Sequence, residues 1–264
     1  MSSTLSGFGR QSSNCDPDFS DVTPTAEEVD LSQIIRPGMR GSREIKQVVN
    51  AGTYAFDATT RRFTPNANCC PLVLAERAAE VERPHLHSMA EAIWTEPSSK
   101  EWIVTIHGCL SSIIEVPVQF ATDGTLGYYG CRILGAGDKV HISRRSIITN
   151  FIYGSNYLDD YVIKSNGGSG VEHHGFAHLD TPLDDNSGHL VLGKIDKETD
   201  ALELTAFKVP KGVSVYIPED TIHTNDYFLG TWETLLSPAC KFPSAKLKRL
   251  DRSSLKILPV EVTS

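Results

Sequence analysis

Three histidines and a glutamate crowd the stretch "GVEHHGFAHLD", Gly170 to Asp180. Imidazole and carboxylate ligate divalent transition metals and carry protons near neutral pH. Which of these groups can act together depends on the backbone. In an extended strand successive side chains alternate faces, so Glu172, His174, Phe176 and His178 share one face and His173 takes the other. Residues two apart lie about 6.7 Å apart at Cα and can converge on one ion; residues four apart lie near ~13 Å and meet only where a bulge intervenes. Gly175 is the candidate for that bulge. Glu172 and His174 are therefore the easiest ligand pair, and His178 is a third on condition of a bend.

A second stretch, "GVSVYIPEDTIH", runs from Gly212 to His223. Gly212 opens a strand, Val213, Val215 and Ile217 alternate on one face, and Pro218 ends it. The turn at Glu219-Asp220 then delivers His223 to the start of the next strand. His174 and His223, completed by Glu172 or His178, would suit Fe, Mn, Ni or Zn. Such an ion polarises a carbonyl, carboxylate or hydroxyl, and Glu172 or His178 is the group expected to move a proton as the catalytic residue. Phe176, Tyr216 and Trp232 are the candidates for the wall of a substrate pocket. A competing set is His85-x-His87 with Glu91, although Ser88 to Glu91 also reads as a helix capping box. His107 and His141 stand singly in strand-like runs, the ordinary setting of a half-buried histidine.

These residues must be positioned by strands. "EWIVTIHG", "SSIIEVPVQF", "LGYYGCRIL", "DKVHIS", "SIITNFIYGS" and "DYVIKS" are short, rich in β-branched and aromatic residues, and separated by Gly, Asp or Ser. The pattern resumes with "VEHHGFAHL", "GHLVLGKID", "ALELTAFKV", "VSVYIP" and "GTWETLLS". One helix is expected, over Pro71 to Arg83, with Pro at its start. Residues 1–40 are polar, without apolar periodicity, and are expected to be dispensable for the β-core. The flexible composition of "KSNGGSG" (Lys164 to Gly170) suggests a boundary. The expected organisation is an N-terminal helical or irregular arm over 1–94 and two β-units, 95–165 and 166–264, the second carrying the site.

The chain has 264 residues, 40% of them apolar and 22% charged, with a net charge of −8. That length can bury a sizeable core. The acidic balance, with no block of Lys or Arg, argues against nucleic acid or an anionic membrane surface as partner. Cys15, Cys69, Cys70, Cys109, Cys131 and Cys240 form no CxxC pair, which fits free thiols in a reducing compartment. No apolar run reaches about 18 residues and no secretory leader is visible. A cytoplasmic protein is expected, with a small-molecule substrate and a homodimer as an open possibility.

At this point the residues resemble the cupin superfamily. Its second motif runs Gly, five residues, Pro, one residue, Gly, two residues, His, three residues, Asn. Gly212, Pro218 and His223 fall on that pattern; Asp220 stands at the inner Gly and Asn225 comes two positions early. The first motif runs His-x-His, three or four residues, Glu, six residues, Gly. Glu101 and Gly108 match its second part, but Trp94 and Glu96 hold the histidine positions. Gly193 can close a copy in the second half, where Asn186 replaces Glu. The resemblance implies an all-β fold, the double-stranded β-helix or jelly roll, as two tandem barrels of which the first lacks a metal site. The segment from Ala201 to Trp232 is similar to the C-terminal part of ureidoglycolate lyases. That similarity implies a metal-assisted lyase or isomerase acting on a small carboxylated metabolite. An Fe(II) dioxygenase and a non-enzymatic binder of small ligands are the alternative expectations, the latter if the histidines do not converge.

Overall fold

Short alternating runs between turn residues give the chain strands along most of its length. The computed structural model describes residues 35–66, 80–89, 92–95, 101–106, 113–165, 170–199, 201–237, 244–248 and 256–261. The first elements are β1 (Met39–Val49), β2 (Gly52–Asp57), β3 (Arg62–Pro65), β4 (His87–Met89), β5 (Ala92–Thr95), β6 (Glu101–Ile106) and β7 (Ile113–Phe120). A short helix α1 (Asp123–Gly127) leads to β8 (Arg132–Ile133), β9 (Lys139–Ile142) and β10 (Ser146–Tyr153), followed by a π-helical turn, Tyr157–Lys164. Then come β11 (Glu172–His174), β12 (His178–Pro182), β13 (Leu190–Ile195), β14 (Leu202–Lys208) and β15 (Val215–Ile217). The last are β16 (Ile222–Thr224), β17 (Gly230–Leu236), β18 (Ser244–Lys248) and β19 (Lys256–Glu261).

The described chain is all-β in class. One sheet has the order β1-β10-β17-β12-β15-β8; a larger one runs β19-β7-β14-β13-β16-β11-β18-β6-β5, with β4 also on β14. Both large sheets feed one core, with Phe151, Ile217 and Trp232 from the first and Leu192, Leu204 and Val116 from the second. A small sheet, β3-β2-β9, packs Phe56, Phe63, Val140 and Ile142 against Ile148, Leu179 and Leu235 on the outer face of the first sheet. Strands covered on both faces lose their polar alternation. This is why all five residues of β12 are buried and why β10 is buried along nearly its whole length.

The strand pairing does not divide at residue 165. β10 lies between β1 and β17, β7 runs parallel to β14, and β8 pairs with β15. Strands from both expected units are thus neighbours in both large sheets.

Residues 39–65, expected in an irregular arm, form β1 to β3. Register shifts between Gly41 and Ile45 and between Ile45 and Gln47 break the period-two pattern of β1, so alternation does not reveal it. Two expected strands are largely not extended: one is mostly turn after the end of a short helix, the other is helical. In "LGYYGCRIL", Thr122 and Thr125 form a reciprocal capping box that starts α1, and only Arg132 and Ile133 are extended. In "DYVIKS" the β-branched residues are overridden by helical partners four apart. Tyr157 and Tyr161 have ring centroids 5.6 Å apart, Asp160 pairs with Lys164 at 2.7 Å, and Tyr157 is fully buried. The expected helix over Pro71 to Arg83 lies mostly outside the described residues; its last residues, Glu80 to Arg83, are not helical. Among the described residues no helix is long and apolar enough to cross a membrane.

Candidate metal centre

β11 and β16 are neighbours in the larger sheet, where Glu172 lies opposite His223 and His223 opposite Leu192 of β13. Leu192 is a core residue, so His223 faces inward, and alternation along β11 gives His174 the same face as Glu172. After His174 the chain turns through Gly175, Phe176 and Ala177 and enters β12, which belongs to the other sheet. The four-residue spacing is therefore bridged by a corner between sheets and not by a bulge within one strand. His174 and His178 face each other with their Nε2 atoms 2.9 Å apart. One ring nitrogen from each of His174, His178 and His223 lies within 4.8 Å of the other two.

All three side chains are buried, at 4%, 7% and 3% exposure. The Nδ1–H of His174 donates to the carbonyl of Phe176 at 3.1 Å, and the Nδ1–H of His223 donates to the carbonyl of Thr221 at 2.8 Å. These bonds fix both rings in the tautomer whose Nε2 carries a lone pair, the arrangement that orients an imidazole toward a metal. The Phe176 ring also stacks on His174, centroids 3.6 Å apart and planes 9° apart. His178 Nε2–H can donate to His174 Nε2 in the metal-free protein, which leaves His178 Nδ1 buried without a partner. A buried ring nitrogen without a partner is costly. The three rings converge closely enough that their free nitrogens could hold a metal ion.

Burial is the main cause of their electrostatics. It lowers His174 to about 3, helped by His223, lowers His223 to about 4, and holds His178 well below the usual histidine range. All three are neutral at physiological pH, the form that binds a cation. Asp180, two residues beyond His178 on the same face of β12, is pushed up to about 7 by burial, against a 2.7 Å hydrogen bond donated by Thr234.

The turn before His223 is held by Asp220, whose φ of 63° is left-handed and whose N–H donates to the carbonyl of His174 at 2.8 Å. This is the position where the resemblance places Gly. Asp is among the few side chains that tolerate such a backbone. Gly193 is required by packing: a Cβ there would lie 2.8 Å from Leu204 Cδ2 and 3.0 Å from Ile222 Cγ2, the residue before His223.

Other expected site residues fall elsewhere. The clustered donors are the three imidazoles; Glu172 shares their face, but its charge acts on the Arg36 guanidinium. His173 points away, its Nδ1 3.9 Å from the Asp220 carboxylate. Tyr216 lies opposite Leu179 while Ile217 lies opposite His178, so Tyr216 faces the outer cluster and donates to the carbonyl of His141 at 3.2 Å. Trp232 is fully buried in the core, stacks on Phe228 at 3.6 Å and donates to Ser187 O. His87 sits in β4 against Leu204; Glu91, Glu96 and Gly108 lie outside the described residues. The sequence reading passed over Arg36, Asp180 and Asp226. Asp180 and Asp226 lie two and three residues beyond His178 and His223, but their burial and partners depend on strands distant in the chain, as does the pairing of Arg36 with Asp226.

Comparison with protein families, with characterised proteins and with solved structures finds no match.

Proposed function

We propose that the protein is a cupin-type metalloenzyme, a metal-assisted lyase or isomerase acting on a small carboxylate-bearing metabolite. The observation that carries this reading is the set of three buried, neutral imidazoles drawn from two facing sheets, two of them locked by backbone carbonyls with Nε2 aimed into one space. The same placement favours a single jelly-roll core with the site between its sheets over two tandem barrels. A three-imidazole set without carboxylate suits Zn, Fe or Ni better than Mn, which prefers oxygen ligands. Three protein ligands leave coordination positions open, so a bound ion supplies Lewis-acid polarisation of a substrate oxygen.

The chain's own residues supply the rest. The low-dielectric core strengthens each charge interaction at the site. Phe176 keeps the His174 ring plane fixed. Glu172, in register with His223 on the inner face, is the group assigned to proton transfer. An iron-dependent dioxygenase is the second reading, because the same imidazoles and open positions serve iron.

The test is metal analysis of untagged protein together with oxygen uptake and turnover of a panel of small hydroxy- and ureido-carboxylates. Zinc or nickel with turnover and no oxygen uptake supports the lyase or isomerase. Iron with oxygen uptake supports the dioxygenase. Protein that neither carries nor takes up metal, and turns over nothing, is a ligand binder, and the enzymatic reading fails.

A further inference from the structure

β11 is only three residues long and meets β16 through a single register pair, Glu172 with His223. All three residues of β11 also pair with β18, and the Asp220 N–H ties the His174 carbonyl to the turn before His223; a further tie lies where β11 begins. Asp226 makes that tie. It lies three residues beyond His223 and is 1% exposed. Its Oδ2 accepts from the backbone N–H of Gly170, the lead-in to β11, at 2.7 Å. Its Oδ1 accepts from Arg36 Nη1 at 2.9 Å and from the Tyr157 hydroxyl at 3.4 Å. One carboxylate thus joins the segment before β1, the π-helical turn, the start of the His174 strand and the end of the His223 strand. The Arg36 charge it balances also acts on Glu172.

We propose that Asp226 is a positioning residue of the three-histidine site, clamping the His174 and His223 strands together and balancing the half-buried Arg36 cation. This rests on the metal reading above. Asp226→Asn keeps an acceptor for the Gly170 N–H but removes the negative charge that pairs with Arg36. Arg36→Met/Asp226→Asn removes both charges. Glu203→Gln is the control, a buried carboxylate bound by Arg83 at 2.9 Å and by Tyr128 at 2.6 Å.

Zn2+ and Co2+ affinities of the full chain are measured by chelator competition, with the fold of each variant checked by circular dichroism. Asp226→Asn is expected to lose about 10- to 100-fold in affinity. The double variant should recover to within a few fold of wild type, and Glu203→Gln should stay at wild type. If Asp226→Asn does not fold, the double variant still decides: a wild-type-like affinity supports the charge role and a loss as large as 10-fold overturns it. Asp226→Asn at wild-type affinity, or a Glu203→Gln loss of equal size, also overturns the proposal. A wild-type chain that binds neither ion overturns the metal reading and the proposal with it.

Discussion

His174 and His223 are neutral because burial removes the water that would stabilise their charge, and this has a measurable effect on stability. Their ordinary value is 6.5, against about 3 and about 4 in the folded chain. Between those limits the unfolded chain binds protons that the folded chain does not. The stability of the metal-free protein is therefore full above about pH 6.5 and falls on acidification, by roughly 1.4 kcal/mol per pH unit for each imidazole. Asp180 acts in the opposite sense: raised from 3.8 to about 7, it contributes stability that is full below 3.8 and lost as pH rises toward 7. Two imidazoles, with His178 shifted the same way, outweigh one carboxyl. Urea melts should show a lower midpoint at pH 5 than at pH 7, and a midpoint that rises on acidification contradicts the burial of these rings. The ordinary histidine value predicts proton competition with a metal from about pH 6.5; burial moves that competition to about pH 4. Alternation along the strand was enough to separate His173 from His174 in the sequence. It could not assign Glu172 or Tyr216, because what those side chains meet depends on strands distant in the chain.

Two turns bring the histidines together. The corner Gly175–Ala177 carries the chain between sheets, and the turn at Asp220 hydrogen-bonds the carbonyl of His174. The sequence indicated both, by Gly175 and by the replacement of Gly at position 220, yet it suggested a bulge where a change of sheet occurs. A period-two pattern reports faces within a strand and says nothing about which sheet the next strand joins. The left-handed backbone at Asp220 makes a specific prediction. Asp220→Gly should melt close to wild type, whereas Asp220→Val should cost roughly 1–2 kcal/mol, since a β-branched side chain is forced into the disfavoured region. Thermal melts of the two variants decide it, and equal stability would mean that the turn relaxes to a negative φ.

Across the whole molecule, the all-β class was legible from the density of short β-branched runs, while the division into two units was not. A Gly- and Ser-rich stretch marks a turn or a linker equally well, and only long-range pairing distinguishes them; here β10 is flanked by β1 and β17. The polar composition of the first 40 residues hid Arg36, half-buried and paired with the buried Asp226, and Met39, which opens β1 opposite Tyr153. Deleting residues 1–40 removes both and leaves Asp226 a buried carboxylate without its cation, a change that costs roughly 3–5 kcal/mol. The truncated chain should therefore melt well below the full one, and an unchanged melting temperature would show that neither contact stabilises the fold.

The central claim, that one divalent ion is held by three histidines between the two sheets, is tested most directly by a crystal of metal-loaded protein measured at the absorption edge of the metal. The expected result is one anomalous peak per chain, bonded to His174, His178 and His223 with nitrogen distances of about 2.0–2.1 Å, lost in His174→Ala and His223→Ala and kept in His173→Ala. No peak among these rings, or a peak that persists when His174 and His223 are both replaced, would contradict it.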